Sequence, residues 1–199
     1  EREVLGPEDW PGWDFAHAAV RAVTLMARAL PLKAIVTFTR DVTFHLNGDE
    51  IEIFHVPAAH TDGDAIVHFR RSDVVSTGDI YTTTGYPQFD LGKGGGIAGI
   101  IDGLNRIIEI AVAGENQTGG TAVIPGHGRI SDETDVANYR DMVTIVRDRI
   151  ASSVKAGKTL EQVQAERPTR DYDGIYTGRG GGSAEQFVAA VYRELKGAQ

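Results

Sequence analysis

The sequence predicts an α/β fold, and three observations predict it. Strand-like and helical segments alternate along the chain, and short Gly-containing turns punctuate them. Of the 199 residues, 41% are hydrophobic, which is enough for one substantial core. No internal repeat or low-complexity tract breaks this pattern, so a single domain over residues 1–199 is expected.

Residues 14–30 (DFAHAAVRAVTLMARAL) place apolar side chains at helical spacing and stop at Pro31, which predicts a helix. Strand patterns follow at 34–38, 42–46, 50–56, 64–69 and 73–77, with Asn47-Gly48-Asp49 as the turn between two of them. Gly92-Lys93-Gly94-Gly95-Gly96 reads as a flexible loop, and helical periodicity resumes over 97–113. A short apolar strand at 121–124 runs straight into Pro125-Gly126-His127-Gly128. Ser131 is expected to cap the next helix, with Asp132, Glu133 and Asp135 suited to the positive end of its dipole. That helix should run to about Val154, followed by a short helix at 159–166 and a Gly-rich link at 178–182. Ser183 and Gln186 form a capping box for a last helix that ends near Leu195.

The bulk numbers narrow the function classes. The formal net charge is −8 and no Lys/Arg cluster interrupts it, which speaks against a nucleic-acid surface. No apolar run approaches membrane-spanning length, so a soluble chain with no membrane partner is expected. The start, Glu1-Arg2-Glu3-Val4, is charged and lacks the apolar stretch of a signal peptide, and the compartment is left open between the cytoplasm and an exported location after signal removal. With no cysteine, disulfides and thiolate metal sites are excluded. Any metal must be held by imidazole and carboxylate groups.

Three short segments concentrate groups of that kind: Ala59-His60-Thr61-Asp62-Gly63-Asp64, Ser76-Thr77-Gly78-Asp79, and Ile124-Pro125-Gly126-His127-Gly128. Each sets a His or Asp just after a predicted strand or in a tight turn, where a rigid sheet positions catalytic groups. The glycines permit positive φ and close backbone approach. Two imidazoles and a carboxylate suit a borderline metal such as zinc. Taken singly, each His is more often an ordinary hydrogen-bonded residue; the combination in this order is what is specific.

In that order and on that strand pattern, AHTDGD, STGD and PGHG resemble the last three metal motifs of the metallo-β-lactamase superfamily. The resemblance covers roughly residues 50–150, with 156–199 as a C-terminal helical extension. An Asp at the STGD position is similar to the glyoxalase II-like branch. The resemblance implies a partial metallo-β-lactamase αββα sandwich and a metal-dependent hydrolase. His60 would complete a first metal site, Asp79 would bridge two metals as the catalytic carboxylate, and His127 would bind the second. Two zinc ions per complete domain would generate a hydroxide near neutral pH that attacks a carbonyl or phosphoryl centre of a small-molecule substrate. Asp62, Asp64 or backbone carbonyls are candidates to orient the imidazoles, with a local turn role favoured for Asp62.

The family's remaining ligands come from an H-x-H-x-D-H motif near the N-terminus, which this sequence lacks. His17 lies on a predicted helix, and His45 and His55 lie inside predicted strands without the required neighbours. The expectation is therefore an N-terminally truncated domain with partial or absent zinc occupancy and little or no hydrolysis. A non-catalytic homologue acting in interaction or structure is the alternative, and a mononuclear site of His60, Asp79 and His127 ranks last. An incomplete sandwich also exposes sheet edges, so self-association is expected.

The remaining features have plainer readings. The Gly92–Gly96 string lacks the phosphate-loop pattern and is expected to be a mobile rim of the active site. Tyr81, Tyr86 and Phe89 either line a substrate pocket or pack in the core, and the sequence does not separate the two. His68 is expected to be structural, Arg70-Arg71 and Asp73 a charged turn, and Asp171-Tyr172-Asp173-Gly174 a turn with too few ligands for calcium.

Overall fold

The computed structural model describes residues 38–176 and 181–197. The chain divides into two compact units, Glu1–Phe38 and Thr39–Gln199, and every element below belongs to the second. The helix expected over 14–30, all but Phe38 of the strand expected at 34–38, and the first part of the 178–182 link lie outside the described residues.

Among the described residues, five strands form one sheet in sequential order: β1 (Asp41–Leu46), β2 (Asp49–Val56), β3 (Asp64–Phe69), β4 (Val74–Ser76) and β5 (Ala122–Ile124). The first four are antiparallel neighbours, and β5 joins β4 in parallel after a crossover through a helix. Asn47 and Gly48 close the β1–β2 hairpin with φ of 53° and 76°. Positive φ at both central positions matches the strand twist, so the Asn-Gly pair sets the register.

The helices are α1 (Ile97–Ile110), α2 (Glu133–Lys155), α3 (Leu160–Ala165) and α4 (Ala184–Gly197). In α2 the buried residues Val136, Tyr139, Val143, Val146, Ile150 and Val154 recur at three- and four-residue steps, which lines one face with core side chains. Its cap is Asp132, whose carboxylate accepts from the Asp135 N–H at 2.9 Å. Ser131, expected as the cap, instead pairs with Val123 through both backbone groups. The β-bridge to Val123 holds Ser131 in sheet geometry, so the first free side chain, Asp132, takes the cap. The α4 capping box forms as expected, Ser183 N–H donating to Gln186 Oε1 and Gln186 N–H to Ser183 Oγ, each at 3.2 Å. Helix α1 stops three residues early because Val112 and Thr121 pair through backbone and side chain and draw the chain out of the helix.

The core lies between the sheet and the helices. Arg106 of α1 sits 4.4 Å from the Phe54 ring centroid, so Phe54, and with it Val56, faces the helices. Alternation puts Ile51 and Ile53 on the other face, and the register aligns them with Phe44, Val42, Phe69 and Val67. None of these six belongs to the core cluster, and Phe44 is 39% exposed. On the helix side, Tyr81, Tyr86, Tyr139, Tyr176 and Phe187 make a chain of ring contacts at 5.2–5.9 Å.

The Gly92–Gly96 segment is not a loose rim. Leu91–Lys93 forms a single 3-10 turn capped by Asp90, and the Gly95 and Gly96 N–H groups donate to Asp90 O and Ala59 O at 2.9 Å each. Gly95, Gly99 and Gly103 then recur every four residues, which sets a stripe without side chains against the end of β2 and the turn after it. A Cβ on Gly95 would lie 2.8 Å from Ala59 O, and one on Gly103 would lie 2.8 Å from the Ile80 side chain. The glycines serve close packing of backbone on backbone. This is why the segment is ordered despite its composition.

Candidate metal centre

Each of the three motifs lies at the end of a strand, and the sheet brings them together. The His60 turn follows β2, Asp79 lies in a 3-10 turn after β4, and His127 follows β5. Asp64 Oδ2 accepts from Thr61 N–H at 2.6 Å, and Thr61 Oγ1 accepts from Gly63 N–H at 3.1 Å. Asp64 is therefore the residue that shapes this turn, the role expected of Asp62. Beyond β4 the buried Thr77 donates its hydroxyl to Ile124 O at 3.2 Å, which ties the Asp79 turn to the strand that leads to His127. Gly126 passes so close to Gly78 that a Cβ would lie 2.7 Å from its carbonyl oxygen. His127 O in turn accepts from the Thr83 N–H and the Thr82 hydroxyl, each at 3.1 Å.

The result is a carboxylate with an imidazole on each oxygen. His60 Nε2 lies 3.8 Å from Asp79 Oδ2, and His127 Nε2 lies 3.2 Å from Asp79 Oδ1. His60 Nδ1 is 2.8 Å from Gln88 O, and a carbonyl can only accept, so Nδ1 carries the proton. In neutral His60 the Nε2 lone pair then faces the carboxylate, an arrangement that a cation between them stabilises. A backbone carbonyl fixing one ring nitrogen so that the other is free to bind is the usual way a ligand histidine is oriented. Two donors on one tetrahedral zinc, each about 2.0–2.1 Å from it, lie about 3.3 Å apart, which the His127 spacing matches and the wider His60 spacing exceeds. In donor type and orientation the three residues fit a divalent metal, though in number they fall short. Among the described residues no set of three or more His, Asp or Glu side chains forms a closed coordinating group.

The cleft over these groups is small, about 30 Å³, and is lined by His60, Asp79, Thr82, Tyr86, Gln88, His127 and Gly181. Sequence reasoning missed Thr82, Gln88 and Gly181. Gln88 could not have been found, since it acts through a carbonyl that any residue would supply. Tyr86 is fully buried and touches the cleft only by its edge; its hydroxyl donates to Asp173 Oδ1 at 2.9 Å. Tyr81 is also buried, and burial pushes its phenol up to about 12. Phe89 is half-buried against the core. Of the three only Tyr86 lines this cleft, while Tyr81 lines a second one beside Thr83, Arg129 and Tyr176.

His55 clasps the His60 turn from β2. Its Nε2 lies 2.7 Å from Asp62 O and its Nδ1 3.2 Å from Thr39 O. Both partners only accept, so both bonds form only when both nitrogens carry protons. The Asp62 carbonyl chiefly raises the His55 pKa above 6.5, opposed by desolvation and aided to a lesser degree by the Thr39 carbonyl and the Asp62 and Asp64 charges. A raised folded value means the stabilisation is full below the unfolded pKa and disappears as pH rises through the folded one. Wild type should therefore exceed His55→Gln in unfolding free energy at about pH 5.5, and the gap should narrow by about pH 8. Urea unfolding at the two pH values measures it; a gap that widens at high pH contradicts the clasp.

No family model matches the sequence, and no curated protein matches it. Solved structures do match. A double mutant of a sec-alkyl sulfatase superposes over 85% of this chain with a TM-score of 0.64 at 17% identity. A stereoselective inverting sec-alkylsulfatase from Pseudomonas sp. superposes over 83% with a TM-score of 0.62 at 15% identity. The chain spans only 28% and 27% of the length of those two proteins. A metallo-β-lactamase from Pontibacter korlensis matches over 63% of this chain and 55% of its own, with a TM-score of 0.44 at 15% identity. At these identities the likeness is one of fold. No helix among the described residues is long and apolar enough to cross a membrane. Over the matched residues the chain shares the fold of part of the two sec-alkylsulfatases.

Proposed function

We propose that this chain carries part of a metal-dependent hydrolase, with His60, Asp79 and His127 as its share of a two-zinc site. The observation that carries the reading is Asp79 with one imidazole facing each oxygen. A carboxylate shared between two metals could use that division, with His60 and His127 holding the ions on either side of it. Bound zinc would supply Lewis-acid polarisation of the substrate and a nucleophile at neutral pH. The chain's own residues do the positioning: Gln88 O holds the His60 ring, and Thr82 and Thr83 hold the His127 backbone. Asp at the STGD position favours the glyoxalase II-like branch over one with a Cys ligand. The sulfatase neighbours make a sulfate ester a substrate to test alongside carbonyl and phosphoryl compounds.

Each ion would receive one nitrogen and one oxygen from this chain, where a stable site takes about four donors. Binding should therefore be weak and hydrolysis slight. Zinc titration of the purified chain by calorimetry, repeated with His60→Ala and His127→Ala, tests the reading. Weak binding that either substitution removes supports it; no zinc binding, or binding indifferent to both, overturns it. A second reading, a non-catalytic module, draws on the same geometry, since His127 Nε2 stands at ion-pair distance from Asp79 Oδ1. Folding that does not depend on zinc, with no detectable hydrolysis, would favour it.

The proposal extends to partners. Val42, Phe44, Ile51, Ile53, Val67 and Phe69 share the sheet face away from the helices, and an apolar face of this kind promotes association. Light scattering on the purified chain should show a concentration-dependent dimer or larger species; a monomer at high concentration counts against it.

A further inference from the structure

We propose that Glu194, in the last helix, is a positioning residue for the metal centre. This rests on the reading of His60 as a metal ligand. No motif singles Glu194 out, and it lies 134 positions beyond His60 in the sequence. Its Oε2 accepts from the Ile97 N–H at 2.8 Å, so a carboxylate from α4 caps the first turn of α1. The residue at the α1 N-cap position, Gly96, has no side chain to do this itself. A Cβ on Gly96 would lie 2.9 Å from Glu194 Oε1, so the carboxylate closes directly over the helix start.

The capped turn bears directly on the ligand. Gly96 N–H donates to Ala59 O at 2.9 Å, and Asp90 N–H donates to His60 O at 2.8 Å. Gly95 and Gly99 lie in backbone contact with Ala58, Ala59 and His60. Ala58 is held at a φ of 54°, a left-handed conformation that a non-glycine residue adopts only when its surroundings impose it. The carboxylate thus satisfies a first-turn N–H that has no partner within the helix, and it favours the positive end of the α1 dipole. It fixes the start of α1, and the start of α1 fixes the backbone that aims His60 at Asp79.

The test uses the full chain as wild type, Glu194→Ala and Glu194→Gln. Gln keeps an acceptor oxygen at the same reach, so it should retain the cap without the charge. Two readouts are needed: cobalt(II) affinity from its visible absorption, and the metal-free His60 Nδ1–H signal in nitrogen-15 correlated NMR. Glu194→Ala should weaken cobalt binding by about tenfold and speed exchange of the His60 Nδ1 proton, whereas Glu194→Gln should restore most of both. If Glu194→Ala does not fold, Glu194→Asp takes its place, because it keeps the charge and loses the reach. Unchanged His60 exchange and cobalt affinity in the Ala or Asp variant would overturn the proposal. So would a Gln variant as impaired as the Ala one. Wild type that binds no cobalt sinks the metal reading, and the metal-free NMR comparison then still decides the role of Glu194.

Discussion

Replacing Gly99 with alanine is expected to destabilise the fold by at least about 3 kcal/mol, the upper end for forced overpacking, and to leave little soluble protein. A Cβ at this position would overlap the Ala58 carbonyl and lie 2.7 Å from Ala59 N. The neighbours are backbone atoms of a turn with its own hydrogen bonds and a left-handed Ala58, so no side chain can swing aside. Relief requires α1 to lift off the sheet, which would uncover Ile100, Leu104 and Ile107, all fully buried. Alanine is a better helix former than glycine, so propensity alone predicts the opposite sign. Gly114→Ala is the control, since a Cβ there meets nothing within 4 Å. That substitution should change stability by less than about 1 kcal/mol. Denaturant unfolding of both variants checks the pair, and a stable Gly99→Ala would refute the backbone contact.

Substituting Asp79 by alanine should have the largest effect on metal binding, because it removes the one group shared by both imidazoles. Loss of an outer-shell partner already costs about 10–100-fold in metal affinity, so loss of this central carboxylate should cost at least about 100-fold. Asp79→Asn should fall between, keeping an acceptor oxygen but not the charge. The fold should survive both, since the Asp79 side chain is 44% exposed and outside the hydrophobic core. Competition against a chromophoric chelator gives the affinities, and circular dichroism reports the fold. Zinc affinity equal to wild type in Asp79→Ala would remove Asp79 from the site.

Much of this architecture was legible in local pattern. Asn47-Gly48, the apolar alternation of β2 and β3, the α2 periodicity and the Ser183/Gln186 box each act over a few residues, and each appears where expected. Local signals failed where a distant partner intervened. Ser131 lost its capping role to a pairing with Val123, and the Gly92–Gly96 string became ordered because the Ala59–His60 backbone lies against it. The aromatic residues show the same limit. Burial of Tyr81 and Tyr86 follows from helices far along the chain packing over them, and no neighbour in sequence announces it.

By itself the sequence offered a candidate donor set: with no cysteine, His60, Asp79 and His127 on three strand ends are the chemistry that the motifs hold out. Only the tertiary structure decided how they are shared, one imidazole on each Asp79 oxygen, with the His60 ring held by the Gln88 carbonyl and its turn braced by α1. The physical reason is that residue type specifies what a side chain can bind. Which of its atoms faces which partner depends on backbone groups, carbonyls and close-packed glycines alike, brought from elsewhere in the chain.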